Sequence, residues 1–239
     1  MTARETKPDL YLSMPHPCSY LPGRMSTILF VDPQRLLNEG EYGAFVRRGF
    51  RRSGDLVYRP HCQGCNACVA VRIPVQAFAA TRGQRRVWNR NRDIEVVEKP
   101  VRFDSEHFDL YRRYQAGRHP ESGMNDADPQ KYLGFLSSRQ VDSAFFEMRV
   151  KGRLLGVAVA DVLPDGLSAV YTFFDPEARQ RGLGVYAILW EIAETARRGL
   201  DFLYLGYWIA DAPKMAYKIN YRPLQALIGG HWVQLTPAD

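Results

Sequence analysis

The apolar positions of this chain switch between a two-residue and a 3.6-residue period, and the switches mark out its elements. Residues 1–24 are rich in proline and read as an extended arm. Residues 26–31 form a short strand-like run ended by Asp32-Pro33. Residues 33–48 carry helix formers and stop at Gly49, a residue suited to a helix C-terminus. Residues 50–58 alternate loosely around Ser53-Gly54-Asp55, as a hairpin does, and 69–73 read as a strand. Residues 82–92 read as a helix. Residues 103–118 are an amphipathic helix with Phe108, Tyr111 and Tyr114 on related faces. A polar loop at 119–129 precedes another helix at 130–138. Residues 144–150 and 154–162 alternate as strands joined through Lys151-Gly152-Arg153. After a turn at 163–166, a third strand covers 167–174. The helix at 185–198 sets Leu189, Ile192, Ala193 and Ala196 on one side and is capped by Gly199. A last strand is expected at 202–207. The succession predicts a mixed α/β fold with no internal repeat.

Composition adds a class and a charge. The 239 residues suffice for one large domain or two small lobes, and 46% apolar with 24% charged residues is typical of a globular chain. Apolar runs stop well short of the ~18 residues that a membrane-spanning helix needs. Met1–Leu12 shows no apolar stretch of the kind that directs secretion, so the expected compartment is the cytoplasm. The net charge of +6 is uneven: residues 1–102 hold 17 Arg and Lys against 9 acids, and residues 103–239 hold 15 against 17. Only six of the 32 cations are Lys. Arginine is the better bidentate ligand for phosphate, and a GC-rich genome would also favour it. The asymmetry itself points to an anionic partner for the N-terminal part.

Three segments carry candidate chemistry. Residues 82–92 contain Arg82, Arg85, Arg86, Arg90 and Arg92 with Trp88 and no acid. Such a helix can grip phosphates and stack its tryptophan on a base. The alternative is a solvated face whose Val87 and Trp88 fill a core. Next, Cys62, Cys65 and Cys68 lie in a Cys-x-x-Cys-x-x-Cys run. That is the spacing of the first three ligands of a ferredoxin-type cluster. Cys18 is the candidate fourth ligand of an iron–sulfur cluster or zinc site, with His61 as a substitute. The alternative is four small residues packed around a tight loop. Finally, Arg179-Gln180-Arg181-Gly182-Leu183-Gly184 stands between a strand and a helix. Glycines there bare backbone N–H groups at a helix N-terminus, where the dipole favours an anion. The spacing resembles the acyl-CoA loop of GNAT-type acyltransferases.

A wider resemblance covers nearly the whole chain. Its blocks are Cys18-Ser19-Tyr20-Leu21-Pro22, Gly49-Phe50-Arg51-Arg52-Ser53-Gly54, Tyr58-Arg59-Pro60, the stretch 161–171, Tyr204-Leu205-Gly206-Tyr207-Trp208-Ile209, the stretch 213–218 and Tyr221-Arg222-Pro223. Together they resemble the aminoacyl-tRNA–protein transferases. The short length and the cysteine triplet resemble the bacterial branch; the eukaryotic branch transfers arginine. The resemblance implies transfer of leucine from leucyl-tRNA to the free α-amino group of proteins that begin with Asp or Glu. The product then enters the N-end rule pathway of protein degradation. It implies a GNAT-like core over 101–239 and a smaller basic lobe with the cysteine loop over 1–100. Eukaryotic members carry Cys-Gly-Tyr-Cys near the start and an adjacent cysteine pair, associated with an iron–sulfur cluster. Here Leu21 stands where the second cysteine would be, and the triplet Cys62, Cys65 and Cys68 replaces the later pair, so the resemblance alone does not carry the metal site over.

The donor is an activated ester, so positioning, amine deprotonation and oxyanion stabilisation suffice, with no cofactor required for the chemistry. Asp161, on the expected central strand, is the candidate general base; the alternative is a turn-capping role. Tyr207, Lys214, Tyr217, Lys218 and Arg222 are candidates for holding an acidic acceptor, or else an aromatic-padded surface helix. Arg179, Arg181, Gly182 and Gly184 are candidates for the tRNA 3′ end, and Arg82, Arg85, Arg86 and Arg90 for the acceptor stem. The competing readings are arginyl transfer, an acetyl-CoA-dependent N-acetyltransferase, and a metal-dependent RNA-binding regulator with an inactive core. Oligomeric state stays open.

Overall fold

The computed structural model describes residues 9–118 and 128–236. Most of the polar loop expected at 119–129, and the first eight positions of the proline-rich arm, lie outside them. In chain order the elements are β1 (Leu10–Leu12), β2 (His16–Pro17), β3 (Met25–Ser26), β4 (Ile28–Val31), α1 (Glu39–Arg47), β5 (Arg51–Ser53), β6 (Leu56–Pro60) and β7 (Val69–Pro74). Next come α2 (Arg82–Arg90), β8 (Glu95–Pro100), α3 (Ser105–Arg118), α4 (Pro129–Leu136), β9 (Ser143–Val150), β10 (Arg153–Leu163) and β11 (Gly166–Phe174). The chain closes with α5 (Leu183–Arg197), β12 (Phe202–Trp208), α6 (Pro213–Ala216), β13 (Leu224–Ile228) and β14 (His231–Leu235).

The centre is an eight-stranded mixed sheet in the order β14-β13-β7-β12-β11-β10-β9-β8. The mixed α/β class matches the expectation, and the expected strand, glycine loop, helix and strand are present as β11, the Gly182 loop, α5 and β12. Alternation along β9 and β10 divides two cores. Phe145, Val157 and Val159 meet Phe108, Tyr111, Tyr132 and Leu136 of α3 and α4. Phe146, Ala158 and Ala160 face Ile188, Leu189 and Ile192 of α5, where the two alanines let the helix lie close. A four-stranded sheet, β1-β4-β6-β5, packs with α1 against one end of this core through Tyr42, Phe45, Val57, Leu163 and Tyr204.

Three differences from the sequence-based expectation have physical reasons. The expected boundary at residue 100 cuts through the large sheet, because β7 lies between β13 and β12, and β8 forms the far edge. Helix α1 starts at Glu39 rather than 33, because Asn38 and Glu41 form a reciprocal capping box. Strand β8 and the β13–β14 hairpin do not stand out in the pattern; β8 is an exposed edge strand without clean alternation.

The feature that shapes the site is how β11 and β12 meet. They pair in parallel over Gly166–Ser168 and Phe202–Tyr204 only. At that end a Cβ on Gly166 would lie 2.0 Å from the Phe202 carbonyl, so only glycine allows the approach. Further along, β12 carries a bulge between Tyr204 and Gly206, with Gly206 at φ +72°. A bulge with a left-handed glycine bends its strand. The two strands part, and a wedge opens between residues 169–174 and 205–208.

Candidate active site

The wedge is filled from the N-terminal lobe. Arg51 and Arg52 are neighbours on β5, so strand geometry sends their side chains to opposite faces. Arg51 reaches across the wedge: its Nη2 donates to the Ala169 carbonyl of β11 at 2.6 Å. On the β12 side, its guanidinium occupies the space that a Cβ on Gly206 would take, with Nη1 only 1.7 Å from that position. Among the described residues this is the one hydrogen bond of the Arg51 side chain.

Around it stand groups from three further elements. The Tyr207 hydroxyl of β12 donates to the Gly49 carbonyl at 2.8 Å. Lys218, on the turn after α6, donates from Nζ to the Tyr207 carbonyl at 2.6 Å. Burial, with the charge of Arg51 adding to it, pushes Lys218 down to about 7. Glu191 of α5 is fully buried, and neither carboxylate oxygen has a partner among the described residues. Burial pushes it up to about 8, and Arg51 only partly offsets this. Tyr217 and Tyr221 face Glu191, and burial raises both phenols above their ordinary value.

An orphaned carboxyl of this kind has a stability signature. Glu191 ionises at about 8 in the folded chain against an ordinary 4.5. Between those values the unfolded chain has released a proton that the folded chain keeps, so stability falls as pH rises through the window. Lys218 does not contribute below about 7, where it is protonated in both states. Glu191→Gln is therefore expected to exceed wild type in stability at pH 7. The advantage should shrink toward pH 5 by at most about 1.4 kcal/mol per pH unit, which thermal melts at the two values check.

Asp161 is placed elsewhere, and its assignment as the base is corrected by its surroundings. It is fully buried and receives Arg52 Nε at 2.9 Å, Arg52 Nη2 at 2.6 Å, the Tyr42 hydroxyl at 2.8 Å and the Ser143 hydroxyl at 2.6 Å. With both oxygens engaged by Arg52, Tyr42 and Ser143, it ties the lobe to the sheet and keeps no oxygen for a substrate amine. Arg52 Nη2 also donates to the Leu136 carbonyl at 2.9 Å. Sequence reasoning misses Arg51 and Glu191 as site residues. The one signal for Arg51 is its place in the Gly49–Gly54 block; Glu191 has none, because a lone Glu in a helix reads as surface.

The two phosphate-binding candidates come together. Helix α2 packs against α5, with Val87 beside Gly182 and Trp88 on Tyr186 at 5.6 Å between ring centroids. The tryptophan thus does both expected things in part: one face covers the core, and 36% of it stays exposed. Arg82, Arg85, Arg86 and Arg90 are exposed along α2, and Arg179 is exposed on the loop. Four of the predicted set bond to the chain itself: Arg85 to the Ala80 carbonyl and Arg179 Nε to the Pro176 carbonyl at 3.2 Å, each within its own segment, and two across to another. Arg181 is held bidentately by Asp93 at 2.8 Å, and Arg90 donates to the Gln180 carbonyl. They fasten the loop to α2. Gly182 takes a left-handed conformation, and α5 begins with no side chain on its first N–H groups.

Of the acceptor candidates, Tyr207, Tyr217 and Lys218 are at the wedge. Lys214 is exposed on α6. Arg222 turns toward the β13–β14 hairpin, with Nη1 3.4 Å from the Leu235 carbonyl.

Cys18, Cys65 and Cys68 pack against Leu21, Tyr207, Ile209 and Met215, so they brace the wedge, and Cys62 lies within electrostatic reach of Cys68. Burial and the other three thiols push Cys68 up to about 11. Cys18 accepts from the Leu21 N–H at 3.4 Å, Cys62 from the Thr27 N–H at 3.5 Å and Cys65 from Arg24 Nη1 at 3.4 Å. Among the described residues no three Cys, His, Asp or Glu converge as the ligands of one metal ion do. No step is derived through a metal.

Two family models match in sequence. That for the N terminus of arginine-tRNA-protein transferase covers residues 16–86, and that for its C terminus covers 106–228. The chain is 51% identical over 226 residues to an aspartate/glutamate leucyltransferase of Pseudomonas paraeruginosa, covering 95% of this chain and 96% of that one. It is 50% identical over 225 residues to the protein of the same name from Nitrosococcus oceani, covering 94% of each. Among solved structures, the C-terminal domain of a putative lysylphosphatidylglycerol synthetase from Agrobacterium fabrum overlaps 60% of this chain and 47% of that one, at 13% identity and a TM-score of 0.44. By both family models and by these relatives, the chain belongs to the arginine-tRNA-protein transferase family.

Proposed function

We propose that this chain moves leucine from leucyl-tRNA to the free α-amino group of proteins that begin with Asp or Glu. The observation that supports it is the join between α2 and the Gly182 loop. It places an arginine-lined face at the N-terminus of the helix that carries Glu191 to the wedge. Leu183 and Glu191 are eight residues apart, about 12 Å along the axis. At about 3.4 Å per stacked nucleotide, a few unpaired nucleotides span that distance. The exposed arginines hold the duplex end of the donor, the loop takes a phosphate of its unpaired 3′ end, and the ester reaches the wedge. There the acceptor nitrogen bonds to the leucyl carbonyl carbon and the bond from that carbon to the tRNA 3′-oxygen breaks.

The named relatives near 50% identity favour leucine over arginine as the donor group. An acetyl-CoA-dependent reaction has no use for the arginines of α2. No helix among the described residues is long and apolar enough to cross a membrane. The need for charged tRNA places the reaction in the cytoplasm.

Purified protein given leucyl-tRNA, arginyl-tRNA or acetyl-CoA, with peptides beginning with Asp, Glu or Ala, should label the acidic peptides from leucyl-tRNA alone. Label from acetyl-CoA alone would overturn the reading. Reversing the charge of Arg82, Arg85 and Arg86 together should weaken tRNA binding uniformly and flatten its salt dependence. The slope of log affinity against log salt should fall by about one for each phosphate that the variant no longer neutralises. An unchanged slope in a binding titration would remove α2 from the tRNA site.

A further inference from the structure

Building on that reading, we propose that the wedge recognises both charged ends of the acceptor residue. Arg51 takes the side-chain carboxylate, and Glu191 takes the α-ammonium.

The argument starts from charges that lack partners. The other buried carboxylates among the described residues are paired. Asp161 has Arg52, and Glu194, one turn beyond Glu191 on the same helix, has Arg197 and Arg198 at 2.7 Å. Glu191 has none. A buried carboxyl left without hydrogen bonds is rare in a folded protein and calls for an explanation outside the folded chain itself. Arg51 keeps a fork of N–H groups beyond its one bond to Ala169. A planar fork of this kind suits a carboxylate bidentately. Lys218, its Nζ held on the Tyr207 carbonyl, stands within electrostatic reach of Arg51 and below about pH 7 adds a second positive charge to the wedge. Among the described residues the titratable groups that act on Glu191 are Arg51 from β5 and Tyr217 and Tyr221 from the turn after α6, and no lysine or second carboxylate does.

This pattern of two cations and one carboxyl is the complement of an N-terminal Asp or Glu, which offers one carboxylate and one ammonium. An N-terminal Ala offers only the ammonium and leaves Arg51 unanswered. Tyr217, 43% exposed, marks where the acceptor enters. During transfer the ammonium nitrogen loses two protons as it becomes an amide. One passes to Glu191, which the bound ammonium holds ionised by offsetting the burial that otherwise keeps it protonated, and the other to the departing 3′-oxygen, while the N–C bond forms and the C–O bond breaks.

The test uses the full chain, saturating leucyl-tRNA and peptides that begin with Asp, Asn, Glu or Gln. Arg51→Ala should lower kcat/KM for the acidic peptides by about 100-fold and bring the Asp-to-Asn ratio near one. Deacylated tRNA should bind it as it binds wild type. Arg51→Lys, which keeps the charge and loses the fork, should lie between the two and serves if the alanine variant does not fold. Glu191→Gln should lose kcat by more than tenfold while it keeps the Asp-to-Asn preference and gains stability. If wild type gives no leucyl transfer to acidic peptides, the proposed function fails. If wild type transfers but the Arg51 variants keep its Asp-to-Asn ratio, or Glu191→Gln keeps kcat within threefold, this inference fails and the function stands.

Discussion

Arg52→Ala is expected to destabilise the fold by about 3–5 kcal/mol, the usual result of removing one partner from a buried ion pair. The side chains of Arg52 and Asp161 are 1% and 0% exposed. The variant leaves the Asp161 carboxylate with the Tyr42 and Ser143 hydroxyls alone, in a place water does not reach. Total stability for a domain of this kind is about 5–15 kcal/mol, so the loss is a large share of it. Asp161→Asn should cost a similar amount from the other side, because it strands the guanidinium among carbonyls. Replacing both residues with apolar ones of like volume should recover much of the loss, since charge without a partner is what hurts. Chemical denaturation midpoints of the four proteins check this. If Asp161→Asn kept wild-type stability and lost only its rate, Asp161 would be serving the chemistry, and its structural role would fall.

Gly206→Ala is expected to remove activity while it leaves the protein folded. A left-handed conformation costs a non-glycine residue about 1–2 kcal/mol, which the fold can bear. The larger effect is steric. The new Cβ would stand 1.7 Å from Arg51 Nη1 and 2.6 Å from its Cζ, so the guanidinium must leave the wedge. The obstacle is a flexible side chain rather than backbone, and the strain is relieved by expelling it. Activity on acidic peptides should therefore fall about as far as in Arg51→Ala, by about 100-fold or 2.7 kcal/mol. The two changes act on one group, so the double variant should be no worse than either single one. A double variant whose losses multiply would show that Gly206 serves the site by some other route.

The two experiments separate the neighbours Arg51 and Arg52. One side of β5 fastens the lobe, and the other furnishes the site. A lobe that loosens at Arg52 also withdraws Arg51, so Arg52→Ala should lose activity together with stability. Gly206→Ala should lose activity well below the temperature at which it unfolds.

Periodicity alone determined much of the architecture: the hairpin at 50–58, the strands on either side of Lys151-Gly152-Arg153, and the strand, glycine loop and helix from 167 to 198. These are local patterns, readable because each element's period and stop signals lie within it. The arginine helix and the glycine loop were also legible as separate anion-binding candidates, since backbone N–H groups and clustered guanidinium groups advertise themselves by composition. Tertiary structure decided the rest. That β7 enters the large sheet, that Asp161 spends its oxygens on Arg52, and that Arg181 is occupied by Asp93 are long-range pairings. Glu191 is the sharpest case. In the sequence it is one acid on a helix; only the packing of α5 beneath the parted strands buries it, strips it of partners and sets it near Arg51. A carboxylate's chemistry is governed by what surrounds it, and those surroundings come from segments as much as 140 residues away along the chain.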